Sequence, residues 1–319
     1  MSITTINLSA GNNILCDLSH LGLLEISGVD AITFLQGQLT NDVKLLLGSN
    51  AHYTAYCNPK GRMLALFLAF AHHNNQLGDH LHLQLNRELL DPIMKRLKMY
   101  VMRSKVEIKD VSDSIVKFGL NGSQAASMLA PLFSSVPSQD YELITLVNGA
   151  ILKLPSINDE TRFEIFTDAA NAPIIWDALK TSCQVVEKTY WELLEIQAGI
   201  PDICLATQEQ FVPQMLNLDI LNGINFKKGC YTGQEIVART HYLGSVKRRT
   251  YLAEIASHAA PGDKVSDAVQ SEIGQIVRAA PNLTGSFDVL AELRIDAVAA
   301  GGVTCNGVPL LIKSLPYSL

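Results

Sequence analysis

The chain has 319 residues and a net charge of −6, and 48% of its residues are hydrophobic while 18% are charged. This balance excludes a disordered chain, a collagen-like repeat and a small disulfide scaffold, and the acidic net charge disfavours extensive nucleic-acid binding. No Lys or Arg precedes Lys44, and the longest apolar run, residues 63–71, is much shorter than the roughly 20 residues of a membrane span. We therefore expect a cytoplasmic protein of two or three domains that does not contact a membrane.

Hydrophobic periodicity predicts alternating strands and helices through most of the chain. The predicted elements are a strand over 22–28, a helix from Asp30 to Leu39, a hairpin of 52–57 and 63–71, a strand over 80–85, a helix from its cap Asn86 to Val101, and helices over 172–179 and 189–197. The sequence therefore predicts an α+β fold.

The last part of the chain has a different pattern. Beyond residue 246 the hydrophobic residues alternate with period two, and Tyr251, Ala253 and Ile255 share one face. Gly301-Gly302 and Asn306-Gly307 are typical of tight turns between strands. We therefore expect a small antiparallel barrel or sandwich over 246–319, after a first region over 1–245.

A basic segment stands out in this acidic chain between Phe226 and Arg249. It contains one acidic residue, Glu235, and six basic residues: Lys227, Lys228, Arg239, Lys247, Arg248 and Arg249. Such a segment indicates an anionic ligand, and the alternative is a solvated basic face.

The six cysteines are far apart and form no CxxC pair, so the sequence predicts no metal site. Cys230 is a candidate reactive thiol. Thr232 and Glu235 form a capping-box pattern that predicts a helix from Gly233, and the helix dipole with Lys227 and Lys228 would favour a thiolate. The alternative is a buried structural thiol, which we expect for the other five: Cys16, Cys57, Cys183, Cys204 and Cys305. Trp191 lies on an apolar helix and either packs in the core or stacks on a flat ligand.

The stretch KKGCYTGQE at 227–235 resembles the signature of the YgfZ-type folate-binding family, whose relatives include the glycine-cleavage T-protein, an aminomethyltransferase. The similarity extends from about residue 20 to the C-terminus. Further similar stretches are FLQGQLTNDV at 34–43, NPKGRM at 58–63, AGIP at 198–201, QFVPQ at 210–214 followed by Asn217-Leu218, and LPYSL at 315–319.

This resemblance implies a T-protein-like folate-binding fold, in which linked α/β subdomains surround a central channel and a small β-barrel follows. Residues 1–245 would then contain two interleaved subdomains. The implied cofactor is tetrahydrofolate or a derivative. The implied role is the support of iron–sulfur enzymes or their assembly factors, and through them of tRNA modification by methylthiolation.

The resemblance also implies roles for individual residues. Cys230 would be the functional thiol, and Trp191 would stack on folate. Lys227, Lys228 and Arg239 would bind the folate carboxylates. The remaining motif residues are Gly229, Tyr231, Gly233, Gln234 and Glu235.

Two departures from the family pattern affect the predicted activity. The catalytic aspartate of the T-protein would fall near Ala65, and a folate-side aromatic of some members would fall at Leu21. Without a carboxylate near Ala65, aminomethyl transfer lacks its acid/base group, so we expect an accessory protein rather than a typical enzyme. The alternatives are a folate-dependent one-carbon transferase and a protein-binding scaffold for iron–sulfur assembly.

Overall fold

The structure is a computed structural model that describes residues 13–74, 78–147, 149–242 and 244–319. The strands are β1 Ile14–Asp17, β2 Leu21–Ser27, β3 His52–Cys57, β4 Met63–Asn74, β5 Gly78–Asn86, β6 Glu107–Asp110, β7 Ile115–Gly122, β8 Leu143–Leu146, β9 Gly149–Ile157, β10 Glu160–Asp168, β11 Gln184–Val186, β12 Arg248–Ile255, β13 Lys264–Ser266, β14 Glu272–Pro281, β15 Phe287–Arg294, β16 Thr304–Cys305 and β17 Val308–Lys313. The α-helices are α1 Ala31–Gln36, α2 Leu90–Val101, α3 Ala125–Leu129, α4 Ala172–Lys180, α5 Lys188–Gln197, α6 Gln234–Tyr242 and α7 Ile295–Ala300. Short 3-10 helices cover Val43–Gly48, Arg87–Leu89 and Pro213–Leu216.

Two open sheets and one closed barrel organise these elements. The first sheet has the order β3-β4-β5-β2-β6, and the second has the order β11-β1-β7-β10-β9-β8. All neighbouring strands are antiparallel except β1 and β11, which are parallel. Because β1 belongs to the second sheet and β2 to the first, the chain crosses between the sheets within its first 30 residues.

The barrel closes in the order β12-β15-β14-β13-β16-β17, and its strands present two apolar faces. Ala253 and Ile255 point into the barrel, as their period-two spacing predicts. Leu252 and Leu290 point outward and join the large core that also contains Trp191 of α5. The barrel therefore packs its outer wall against the first part of the chain.

A β-bulge in β14 directs one side chain of the barrel toward that contact. The register with β15 shifts between Ile276 and Arg278, so Val277 is an extra residue that opposes no partner. Ile276 points into the barrel, while Val277 belongs to the large core. Arg278 consequently reaches α5, where its guanidinium binds Glu192 through two hydrogen bonds of 2.5 and 2.6 Å.

The predicted α+β class and the C-terminal barrel are confirmed, and the strand over 52–57 has the predicted bounds. The other predicted bounds differ at one or both ends by one to four residues. Helix α1 ends at Gln36, because Leu39 forms a β-bridge with Tyr56. Asn86 caps a 3-10 turn, accepting from the backbone N of Glu88, and α2 begins only at Leu90. The hydrophobic pattern also predicts a strand over Leu290–Ile295, but β15 ends at Arg294 and Ile295 begins α7.

No helix in the described part of the chain has the length and apolar character needed to cross a membrane.

Candidate functional site

Three of the stretches that carry the family resemblance meet around Gly233. The backbone N of Thr232 donates to the carbonyl of Gly37 at 3.3 Å. Gly61 and Gly233 both have positive φ angles, of 69° and 83°. A Cβ on Gly233 would lie 2.5 Å from the carbonyl oxygen of Asn58. The close approach of the two segments and the backbone conformation both require glycine at this position.

Lys228 connects the segment around Gly233 to residues 36–41, which precede the first 3-10 helix. Its side chain is buried, with a residue exposure of 9%. Its Nζ donates to three backbone carbonyls, those of Gln36 at 2.9 Å, Leu39 at 2.6 Å and Asn41 at 2.9 Å. Burial lowers the pKa of Lys228 to about 8, so the ammonium remains charged at neutral pH. An ammonium has only three N–H donors, so none remains for a ligand carboxylate. The expectation that Lys228 binds folate conflicts with this geometry.

Cys230 follows this buried lysine and is exposed. A Cβ on the neighbouring Gly229 would meet no atom within 4 Å, so Gly229 also lies in open space. Of the other cysteines, three are buried and two are half-buried: Cys16, Cys57 and Cys305, then Cys183 and Cys204. The alternative of a buried structural thiol is therefore wrong for Cys230.

Helix α6 begins one residue later than the capping-box pattern predicts. Gly233 has a φ of 83°, which is not helical, and the first helical residue is Gln234. Cys230 consequently lies four residues before the helix. The influence of a helix dipole is confined to its first turn, so the expected contribution of the dipole at Cys230 loses its geometric basis.

A separate pocket, here named the central pocket, lies where the two sheets, α5 and the barrel meet. Its volume is about 60 Å³, which holds a few water molecules. The lining residues are His20, Leu21, Tyr53, Leu66, Leu68, Gln84, Leu85, Asn86, Glu164, Trp191, Glu195, Ile200, Pro201, Asp202 and Arg278. They come from segments up to 258 residues apart in sequence.

Two carboxyl groups of the central pocket have raised pKa values. Burial, reinforced by the charge of Glu195, raises the pKa of Glu164 to about 7. Gln84 donates to Glu164 at 2.9 Å. Burial raises the pKa of Asp202 to about 6, and Asn86 donates to it at 3.0 Å. Groups that titrate near neutral pH in a cleft are candidates for binding or proton transfer.

Two buried polar atoms at this pocket have unused hydrogen-bonding capacity. Among the described residues that line it, Nδ1 of His20 and Oε1 of Gln84 have no hydrogen-bond partner. Leaving a buried polar group unpaired costs about 1–3 kcal/mol, so these atoms indicate a polar ligand or ordered water.

Trp191 lines the central pocket and is also part of the core, with 2% exposure. The guanidinium of Arg162 lies 5.5 Å from its ring centroid and donates to Glu195 at 2.9 Å. A Cβ on Gly119 would lie 2.5 Å from the indole. Trp191 therefore packs in the core and also lines the pocket, while its stacking on a flat ligand stays a prediction.

The other predicted site residues lie in different places. Leu21 lines the central pocket, whereas Ala65 pairs with Tyr56 and is not part of its lining. Strand β4 presents Leu66 and Leu68 to the pocket. Lys227 and Arg239 are exposed, and neither lines the pocket.

Sequence reasoning did not identify Glu164, Asp202 or Arg278. A signal was present for two of them, because Glu164 interrupts an apolar strand at 163–166 and Arg278 follows the apolar pair Ile276-Val277. A charged residue in a strand that is otherwise buried indicates a paired or functional group. Asp202 follows a proline in a loop and carries no comparable signal.

Known proteins resemble this chain over most of its length. Residues 9–189 match the family model described as the GCVT N-terminal domain. The tRNA-modifying protein YgfZ of Yersinia pestis (strain Pestoides F) is 34% identical, and the alignment covers 96% of this chain and 92% of that protein. The protein of the same name from Yersinia enterocolitica (serotype O:8 / biotype 1B) is 33% identical with the same coverage.

The glycine cleavage system aminomethyltransferase T from Bartonella henselae has a similar crystal structure, with a TM-score of 0.75 at 17% identity. The superposition covers 97% of this chain and 87% of that one. This similarity establishes the T-protein-like fold.

Proposed function

The chain belongs to the family of the tRNA-modifying YgfZ proteins, and from that premise we propose that it is a tetrahydrofolate-binding accessory protein. In this proposal it supports the assembly or repair of iron–sulfur enzymes, and through them the methylthiolation of tRNA. The central pocket binds the folate, and Cys230 provides a thiol for redox or sulfur chemistry.

The central pocket is the observation that carries the folate part of the proposal. The pterin of tetrahydrofolate has an amino group and ring N–H groups along one edge, and a carboxylate is a strong acceptor for such donors. Glu164 is the most deeply buried carboxyl group of the pocket, and Trp191 offers a flat apolar surface beside it. The free atoms of His20 and Gln84 add further capacity for hydrogen bonds.

These residues fit a pterin by their chemistry, and the size of the pocket adds a condition. The volume of about 60 Å³ is smaller than a bicyclic ring system requires, so binding has to displace water and move apolar side chains of the wall. The aliphatic side chains of that wall include Leu21, Leu66, Leu68, Leu85 and Ile200. In this proposal tetrahydrofolate serves as a one-carbon carrier or as a redox-sensitive ligand, and the chain binds and orients it.

Calorimetric titration with tetrahydrofolate and its 5-formyl analogue tests this proposal. We expect saturable binding that Trp191→Phe and Glu164→Gln each weaken by about tenfold, because one removes stacking area and the other removes the charged acceptor. Trp176→Phe is the matched control, since this second tryptophan packs against Phe118 outside the pocket. No binding by the unaltered protein, or equal binding by all three variants, would contradict the folate site.

The thiol part of the proposal needs a cellular test. Cys230 is exposed on a loop that Lys228 holds in place, so it is accessible to a partner protein. We expect a cell that carries only Cys230→Ala to lose tRNA methylthiolation, while Cys204→Ala retains it. Full retention in the Cys230 variant would remove this thiol from the function.

A second candidate function, a folate-dependent one-carbon transferase, is favoured by the pKa of about 7 at Glu164. A carboxyl group that titrates near the working pH is suited to general acid/base catalysis. In that case the pure protein would form methylenetetrahydrofolate from an aminomethyl donor, and Glu164→Gln would abolish the reaction. No turnover by the unaltered protein would eliminate this candidate.

A further inference from the structure

A second cleft lies apart from the central pocket. It is formed by the loop at 222–227, the end of α6 and the segment from Asn41 to His52, and its volume is about 620 Å³. This volume is typical of small-molecule sites. Among the described residues, none lines both sites. Tyr53 lines the central pocket and Tyr141 lines the second cleft, with their ring centroids 5.9 Å apart.

One wall of the second cleft is aromatic. The rings of Phe226 and His241 are stacked, with centroids 3.8 Å apart and an angle of 14° between their planes. Tyr242 stands edge-on to His241 at 4.8 Å and is 64% exposed. Exposed aromatic rings of this kind are the surfaces on which unpaired nucleobases stack.

The second cleft also contains groups that can bind the edge of a base. Nε2 of His52 is buried and has no hydrogen-bond partner among the residues described. Burial lowers the pKa of His52 to about 4, so the imidazole is neutral at pH 7 and has one donor and one acceptor nitrogen. The carboxamides of Asn50 and Asn222 lie at the same cleft and offer both donors and acceptors.

The central pocket and the second cleft differ in the charged side chains that line them. The central pocket is lined by three carboxyl groups, those of Glu164, Glu195 and Asp202. No aspartate or glutamate is among the described residues that line the second cleft, and its single ammonium group is that of Lys227. Lys227 forms no ion pair within the part of the chain that the structure describes. A phosphate group is therefore compatible with the second cleft.

From these observations we propose that the second cleft binds one unpaired nucleotide of an RNA strand. Its base stacks on the aromatic wall and hydrogen-bonds to His52, and its phosphate contacts Lys227. The choice of an RNA strand over a free nucleotide rests on the proposed role in tRNA modification. A single unpaired nucleotide agrees with the acidic net charge, because the contact is small. Lys227 lies three residues before Cys230, so a bound RNA approaches the loop that carries the thiol.

Fluorescence anisotropy with a labelled single-stranded penta-adenylate tests the site, with an RNA duplex of matched length as comparison and AMP as competitor. We expect the single strand to bind, the duplex to bind at least tenfold more weakly, and AMP to compete. Tyr242→Ala should weaken single-strand binding about tenfold through lost stacking. Lys227→Gln should weaken it several-fold and lower the slope of log affinity against log salt by about one.

Lys247→Gln is the matched control, because Lys247 is an exposed base of the same segment that does not line the cleft. It should bind within about twofold of the unaltered protein. Absence of single-strand binding, equal binding of the duplex, or unchanged binding by both Tyr242→Ala and Lys227→Gln would overturn the proposal. Binding of AMP without binding of the strand would overturn the RNA source and leave a free nucleotide as the ligand.

The folate titration on the same variants separates the two proposals. Tyr242→Ala and Lys227→Gln should bind tetrahydrofolate as the unaltered protein does, and Trp191→Phe should bind the RNA strand unchanged. Loss of one ligand with retention of the other then identifies which proposal fails.

Discussion

Replacing Lys228 by methionine removes an ammonium but keeps most of the apolar stem of the side chain. The three carbonyls that it binds belong to Gln36, Leu39 and Asn41. All three N–H donors are lost in one substitution, so the carbonyls lose a shared partner.

The size of the effect follows from two opposing contributions. Each buried carbonyl left without a partner costs about 1–3 kcal/mol, and the bonds to Leu39 and Asn41 are the buried ones. Two such carbonyls together cost about 2–6 kcal/mol, and the variant recovers part of this because it no longer buries a charge. We therefore expect Lys228→Met to lower the free energy of unfolding by about 2–4 kcal/mol.

Urea unfolding followed by tryptophan fluorescence measures this difference. Lys227→Met is the matched control, because the neighbouring side chain is exposed, and its effect should stay below about 0.5 kcal/mol. A loss of less than 1 kcal/mol in the Lys228 variant, with an unchanged denaturant slope, would refute the reasoning. Such a result would mean that water replaces the ammonium at the three carbonyls.

Three further predictions concern the thiol, the pocket and the packing of its tryptophan. In the native protein one thiol should react rapidly with a disulfide reagent, and Cys230→Ser should remove this phase; persistence of the rapid phase would contradict the exposure of Cys230. The folded state raises the pKa of Glu164 from 4.5 to about 7, so its contribution to stability is complete below pH 4.5 and is lost as the pH rises to 7, by up to about 3 kcal/mol. The stability of Glu164→Gln relative to the unaltered protein should therefore increase from pH 5 to pH 8 in urea unfolding, and a constant difference would speak against the shift. Gly119→Ala places a Cβ 2.5 Å from the ring of Trp191 and should lower the free energy of unfolding by about 1–3 kcal/mol. In the control Gly229→Ala the new Cβ meets no atom within 4 Å, so stability should not change. Equal thermal stability of the two variants would disprove the clash.

Local patterns predicted the elements that depend on neighbouring residues. Strand β3 has the expected bounds because its apolar alternation ends at the Asn58–Gly61 turn. The inward face of β12 is correct for the same reason, since residues two apart share a face. The start of α6 is one residue off, because the approach of Asn58 to Gly233 imposes a backbone conformation that the capping-box pattern does not encode.

The site could be predicted only in part, because its geometry depends on contacts between distant segments. Exposure of Cys230 agrees with its motif, but the role of Lys228 depends on carbonyls about 190 residues away. Glu164 lies on a strand of the second sheet and Arg278 on a strand of the barrel, and these two strands are far apart in the sequence. The bulge that directs Arg278 toward Glu192 coincides with the apolar pair Ile276-Val277, but this pair does not indicate which residue Arg278 contacts.

The two-faced wall of the barrel limits how freely this part of the molecule can be exchanged. Leu252 and Leu290 pack in the core of the first region, while Ala253 and Ile255 pack in the interior of the barrel. A barrel grafted from a relative at residue 245 would bring a well-packed interior and a foreign outer surface. The Arg278–Glu192 pair would be split between donor and host, which leaves one charge without its counterpart. Chimeras of this family should therefore be designed by transferring α5 together with the barrel, although the two are far apart in the chain.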